Sequence, residues 1–245
     1  MSRSVQPLVS CVLATAGRAR FLAQAIKYFQ RQTYEPRELL IVDDQGAPAA
    51  HVVPDDPRIR YLASDGPTPL GGKLNLAIAA ARGSIIQKLD DDDYYHPDFL
   101  VATTGALRGP NAAATIAGCA SFLVLIAATG HLTFSGSGQG WCAGGTLCFH
   151  RELWERRPFR YLPRAEDSWF LNDHAPARAR IERPHLYILV RHGEGHAWTR
   201  TGATDVTAYF SRRPALARSW RAYVPREDWA FYDSLRTSGP PVGRE

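Results

Sequence analysis

Four consecutive aspartates, Asp90-Asp91-Asp92-Asp93, close a largely apolar run from Ser84 to Leu89. Adjacent carboxylates at the edge of a buried strand repel one another and lose hydration, so something cationic must offset them. Their hard oxygens suit Mg2+ or Mn2+, which take one or two carboxylates and complete their shells with substrate phosphates. A solvated acidic loop leading into a helix near Pro97 is the competing explanation of this segment taken alone. A second acidic pair, Asp43-Asp44, follows the apolar run Glu38 to Val42, and a third, Glu166-Asp167, precedes Ser168-Trp169-Phe170. A carboxylate of this kind can take the proton of an attacking hydroxyl, and Asp167 is the candidate for that step. Carboxylates also favour the first turn of a helix for purely electrostatic reasons, which keeps a structural explanation open for Glu166-Asp167. His192 and His196 flank Gly193-Glu194-Gly195, where an imidazole could reach a metal or a phosphate, or lie in a surface loop.

The elements that must position these groups are legible from periodicity. Leu8 to Ala14 is a continuous apolar run with β-branched members, the pattern of a strand buried on both faces. Arg18 to Gln32 spaces Phe21, Leu22, Ala25, Ile26 and Phe29 at helical intervals. Glu38 to Val42 is a second buried strand and Arg58 to Leu62 a short third. Gly71-Gly72 opens a helix over Lys73 to Arg82, which Gly83 stops, and Ser84 to Leu89 is the fourth strand. Strands alternating with helices through short loops predict a parallel sheet covered on both faces, with ligands bound beyond the strands' carboxyl ends. Thr15 to Arg18, Asp43-Asp44 and the four aspartates all fall at those ends, so one crevice should collect them. Beyond Gly130 the pattern is mixed: a loop from Ser135 to Gly140, a strand over Gly145 to Phe149, a helix around Glu152 and a strand over Leu186 to Val190. From about Thr204 the chain reads as helical, basic and aromatic.

Length and composition set the frame. The 245 residues, 45% hydrophobic and 22% charged, suit one α/β domain with a small appendage. The net charge of +5 fits either an anionic ligand or an arginine-rich surface. Cys11, Cys119, Cys142 and Cys148 show no paired spacing, which points to a reducing cytoplasm and away from a zinc site. Leu8 to Ala16 loosely mimics a signal peptide but reads better as the first core strand. Asn111 to Gly130 carries no charge, yet its Ala, Gly, Ser and Thr content inserts weakly, so buried strands are expected and no membrane span.

Val9 to Thr15 with Arg18, Gln32-Thr33-Tyr34, and Leu40 to Asp44 resemble the opening of the family 2 glycosyltransferases, which have the GT-A fold. Lys73 and Asn75, Ala80 to Gly83, and Leu89 to Asp93 followed by Pro97 and Leu100 resemble the same family's metal-binding segment. The likeness continues more loosely through Gly145-Thr146-Leu147 and Glu166-Asp167 to Arg191-His192-Gly193. The resemblance implies transfer of a single sugar, with inversion, from a nucleoside-diphosphate sugar to an acceptor hydroxyl. UDP is the favoured nucleotide, and Mn2+ or Mg2+ the cofactor. It implies donor contacts from Thr15, Arg18, Asp43, Asp44, Lys73, Asn75, Asp90, Asp91 and Glu166, metal contacts from Asp92 and His192, and Asp167 as catalytic base. Gln45-Gly46-Ala47 departs from the Gly-Ser that the family commonly carries after its second strand, which touches the detailed base contacts. No Q-x-x-R-W pattern of processive relatives is present, in keeping with single transfer.

The expected organisation is a GT-A domain over residues 1–203, with a nucleotide-binding half over 1–100 and an acceptor half over 101–203, and a helical basic and aromatic extension over 204–245. The acceptor is left open among small molecules, lipid-linked saccharides and nucleic acid. The extension could serve a homodimer, and the placement is cytoplasmic or peripheral at the inner face of a membrane. Two other classes share parts of the pattern. A sugar nucleotidyltransferase would need a richer phosphate loop than Thr15-Ala16-Gly17-Arg18, and a non-catalytic nucleotide-sugar-binding protein would not need Asp167.

Overall fold

The structure is a computed structural model that describes residues 6–108, 115–136, 142–174, 177–192 and 206–236. Apolar runs form strands Val9–Thr15 (β1), Arg37–Asp43 (β2), Ile59–Ala63 (β3) and Ile85–Asp90 (β4). β1 lies between β2 and β4, β3 flanks β2, and all three pairings are parallel. Two-residue periodicity splits β1 between two cores. Val9, Cys11 and Leu13 face the helix Ala19–Gln30 (α1) through its Phe21, Leu22, Ala25, Ile26 and Phe29. Val12, with Leu40, Val42 and Ile86, faces the helix Leu70–Ala80 (α2) through Leu74, Ala77 and Ile78. The expected sheet with helices on both faces is present.

Tyr94–Tyr95 (β5) and the helix Phe99–Ala106 (α3) follow the four aspartates. The charge-free stretch then folds as Thr115–Cys119 (β6) and Ser121–Ile126 (β7), both largely buried. Among the described residues no helix is long and apolar enough to cross a membrane. His131–Gly136 (β8) pairs antiparallel with β7. The expected strand over Gly145 to Phe149 is shorter: a 3-10 turn at Gly144–Thr146 precedes Cys148–His150 (β9). β9 runs antiparallel to both β4 and β6, extending the main sheet. Arg151–Arg156 (α4) and Glu166–His174 (α5) follow, and α5 sends Phe170 and Leu171 into the core beneath α2. Ala177–Ile181 (β10) completes the seven-stranded order β10-β6-β9-β4-β1-β2-β3. Tyr187–Arg191 (β11) joins a second sheet of order β5-β11-β7-β8.

The C-terminal segment packs into the same molecule. It contains Val206–Ser211 (α6) and Trp229–Leu235 (α7). Trp220, Val224, Tyr232 and Leu235 join the α1 core. The buried Asp228 accepts bonds from Gln24 Nε2 (2.8 Å) and Arg31 Nη2 (2.9 Å), and the Tyr28 and Tyr232 hydroxyls bond each other. Burying each such aromatic stabilises by roughly 1.5–3 kcal/mol, which explains why Trp220 and Tyr232 turn inward.

Candidate active site

Strand register assembles the site. Thr15 lies opposite Asp43 on β2, and Ala14 opposite Asp90 on β4, so the polar ends of three parallel strands form one rim. Above it opens a cavity of about 700 Å3, closed on the far side by residues 143–145, 163–168 and 189–192 and by Phe210 of α6.

The four aspartates have separate fates. Asp91 is buried and accepts bonds from Thr15 Oγ1 (2.7 Å) and Arg18 Nε (3.0 Å), with a second contact from the same guanidinium. Burial pushes its carboxyl up to about 6, while Arg18 opposes the shift. Asp93 is buried too, accepting from the Tyr187 hydroxyl and from the Val190 amide (2.9 Å). Burial, with the Asp92 and Asp90 charges beside it, raises its pKa well above the usual carboxylate range. Asp90 and Asp92 keep 34% and 20% of their side-chain surface exposed, against 1% for Asp91. Asp92 accepts from Arg18 Nη1 (3.1 Å) and lies 3.1 Å from His192 Nε2. Burial would raise the Asp92 carboxyl, but the His192 bond and the Arg18 charge outweigh it and hold the group well below its ordinary range.

Among the described residues no three His, Cys, Asp or Glu side chains converge as a metal cluster. Asp92 and His192 nonetheless fit a cation that takes two protein ligands and completes its shell with phosphate oxygens. The His192 ring is buried against Phe21, its centroid 4.4 Å away, and among the described residues its Nδ1 has no hydrogen-bond partner. His196, the other candidate histidine, lies outside the described residues.

The second rim is built differently from the sequence expectation. Asp44 lines the cavity, accepts the Thr68 amide (3.1 Å) and lies 3.2 Å from Lys73 Nζ. That ammonium also donates to the Thr15 carbonyl (2.9 Å), tying α2 to the end of β1. Asp43 does not line the cavity. It accepts from the Gly17 and Gln45 amides (2.9 and 3.2 Å) and from the Tyr61 hydroxyl (2.6 Å), and so shapes the loops beside the crevice. The unusual Gln45-Gly46-Ala47 turn runs through left-handed backbone at both Gly46 (φ +70°) and Ala47 (φ +66°). Asn75 is likewise away from the cavity. It donates to the Phe159 carbonyl (2.8 Å) and accepts from Trp154 Nε1 (2.8 Å) and the Phe159 amide (3.0 Å). Two positions along a helix turn about 200°, so Lys73 and Asn75 leave different sides of α2.

The opposite wall carries Glu166 and Asp167 in the first turn of α5. Asp167 Oδ1 accepts the Ser168 amide (2.7 Å), while Oδ2 lies against the backbone of Gly144. A Cβ on Gly144 would overlap that oxygen, and one on Gly145 would meet Asp90 Oδ2, so the glycine pair seats both carboxylates. Ala165, just before α5, is held at φ +58°, a left-handed conformation that non-glycine residues rarely adopt. Glu166 is buried, and burial pushes its carboxyl up to about 7 against the opposing pull of Lys88. Lys88, Gly144 and Ala165 escaped the sequence reading. The available signal was a lysine inside an apolar run, two places before Asp90.

Solved structures of other proteins share this fold. A mannosyltransferase from Pyrobaculum calidifontis, solved in complex with GDP-Man and Mn2+, matches 80% of this chain and 59% of its own at 17% identity, TM-score 0.62. TarS 1-349 from S. aureus, solved in complex with UDP-GlcNAc, matches 80% and 62% at 14% identity, TM-score 0.63. These likenesses bear out the GT-A fold. In sequence, the succinoglycan biosynthesis protein ExoO of Rhizobium meliloti is 38% identical over 97 residues, which are 38% of this chain and 28% of that protein. The family model described as "Glycosyl transferase family 2" matches residues 10–178, most of the main sheet and both carboxylate walls. The chain belongs to glycosyl transferase family 2.

Proposed function

We propose that the chain transfers one sugar from a nucleoside-diphosphate sugar, with UDP the favoured nucleotide, to an acceptor hydroxyl with inversion at the anomeric carbon. The observation that carries this reading is the convergence, in one cavity, of Asp44, Lys73, Asp90 and Asp92 on one wall and Asp167 on the other. Asp44 and Lys73 stand at the nucleoside end, with Thr15, Asp43 and Asp91 holding the rim in shape. Asp92 and His192 would hold a divalent cation, Mn2+ or Mg2+, whose charge offsets the negative charge that builds on a departing diphosphate. Arg18, already against Asp91 and Asp92, adds a fixed positive charge beside the same position. Asp167, across the cavity, accepts the proton of the attacking hydroxyl. Gly144, lacking a Cβ, lets the Asp167 Oδ2 lie close to the backbone. The two solved structures of the same fold, one in complex with GDP-Man and Mn2+ and one with UDP-GlcNAc, support a nucleotide-sugar donor. A cytoplasmic or membrane-peripheral placement with a saccharide or lipid-linked acceptor belongs to the same reading, supported by the name of the succinoglycan relative.

Thermal unfolding with UDP, GDP and dTDP, each with and without Mn2+, tests it. One diphosphate should raise the midpoint, more with metal than without, because it binds the native state alone. The metal-dependent increment should vanish in Asp92→Asn. No response to any diphosphate in the presence of Mn2+ sinks the proposal. Once a donor is found, the anomer of the product tests inversion, and retention excludes Asp167 as the base.

A further inference from the structure

Lys88 is the one lysine on the central strand β4, with its side chain only 3% exposed. Such a group is costly to bury and persists where carboxylates surround it. Its Nζ lies 2.7 Å from Asp90 Oδ1 and 3.7 Å from Glu166 Oε1. Asp90 is its i+2 neighbour on the same strand, so both point to one face of the sheet. Glu166 comes from the opposite wall and precedes Asp167 in the first turn of α5. The Lys88 amide also donates to the Leu147 carbonyl (2.8 Å), at the end of the turn whose Gly144 and Gly145 seat Asp167 and Asp90. One residue therefore contacts the donor wall, the glycine turn and the start of the helix that carries the base.

We propose that Lys88 is a positioning residue whose ammonium clamps Asp90 and Glu166 together and so sets the distance between the donor sugar and Asp167. This rests on the function proposed above. A methionine of similar length would fill the same space, but Asp90, Glu166 and Asp167 would then confront one another with no cation between them. The carboxylates would separate, and the two reacting partners with them. The nucleotide end of the cavity, built on Asp44 and Lys73, would be untouched.

The experiment compares native protein with Lys88→Met, Lys88→Arg and the double variant Lys88→Met/Glu166→Gln. The double variant removes one carboxylate along with the cation, which protects folding. Turnover is measured by hydrolysis of whichever of UDP-glucose, UDP-GlcNAc and GDP-mannose the native protein cleaves fastest. Nucleotide affinity is followed as the midpoint shift with the matching diphosphate and Mn2+. Lys88→Met and the double variant should lose about 100-fold in kcat, the usual cost of misplaced reacting groups, with the diphosphate shift preserved. Lys88→Arg should recover most of that loss. A folded Lys88→Met or double variant with kcat within about threefold of native, or a loss confined to KM, overturns the assignment while leaving the proposed function standing. A native protein that responds to no diphosphate and cleaves no donor overturns both.

Discussion

The two walls of the cavity hold their carboxylates by different means. On the wall formed by β1, β2 and β4, the charges are matched by cations: Arg18 on Asp91 and Asp92, Lys73 beside Asp44. On the wall formed by α5, Asp167 Oδ1 accepts the amide and the hydroxyl of Ser168, and Oδ2 lies against Gly144. A carboxylate pinned by a guanidinium or offered to a metal is a poor proton acceptor, whereas one held by neutral donors is a better one. Under the proposed function the contrast puts binding on the first wall and proton transfer on the second, with Lys88 reaching across.

That division can be broken in several ways. The largest effect is expected from Asp167→Asn, which should lower kcat by about 10²–10⁴-fold while leaving the diphosphate midpoint shift unchanged. A parallel loss of nucleotide affinity would put Asp167 on the wrong wall. Gly144→Ala comes next. Its methyl group must displace the Asp167 carboxylate, so kcat should fall about 100-fold, with stability reduced by only about 1–3 kcal/mol. If turnover survives, the glycine does not set the base. Asn75→Ala should do the reverse, leaving Trp154 Nε1 and the Phe159 amide without their acceptor. A loss of about 1–3 kcal/mol in urea unfolding is expected, with the donor KM unaltered. A raised KM would return Asn75 to the ligand.

The smallest effect is a pH dependence at Glu166. Its folded pKa, about 7, lies above the ordinary carboxylate value, so the folded state binds this proton more tightly than the unfolded chain does. The resulting stabilisation is full below pH 4 and is lost as pH rises through 7. Glu166→Gln cannot lose that proton. Relative to native, it should gain about 1–3 kcal/mol between pH 4.5 and pH 8. A difference that stays flat across this range would mean that Glu166 remains ionised beside Lys88 throughout.

Much of the first wall could be read from residues alone. Continuous β-branched runs admit little besides buried parallel strands, and such strands place their following residues on a common edge. That is why Thr15, Asp44 and the four aspartates meet in the structure as the spacing suggested. Asn75, placed near the donor by the resemblance, instead bonds Phe159 and Trp154 in the structure, a contact that a motif carried over by position does not reveal. The second half resisted for other reasons. β10 alternates alanine with arginine over only five residues at the sheet edge, and β9 is only three residues long, so neither presents the long apolar run that marks β1 and β2. The inward turn of the C-terminal aromatics depends on Asp228 finding Gln24 and Arg31, about 200 positions earlier in the chain, a pairing that local sequence does not encode.

The sequence by itself determined the parallel half, the family and the acidic run that offers Asp90 and Asp92, because each depends on local spacing and on which faces of a strand are buried. Only the tertiary structure decided which aspartates keep an open face, that Gly144 receives Asp167, and that Lys88 joins the two walls. Those outcomes follow from close approach between segments distant along the chain, where a missing Cβ or a buried ammonium acquires meaning only once the partner is in place.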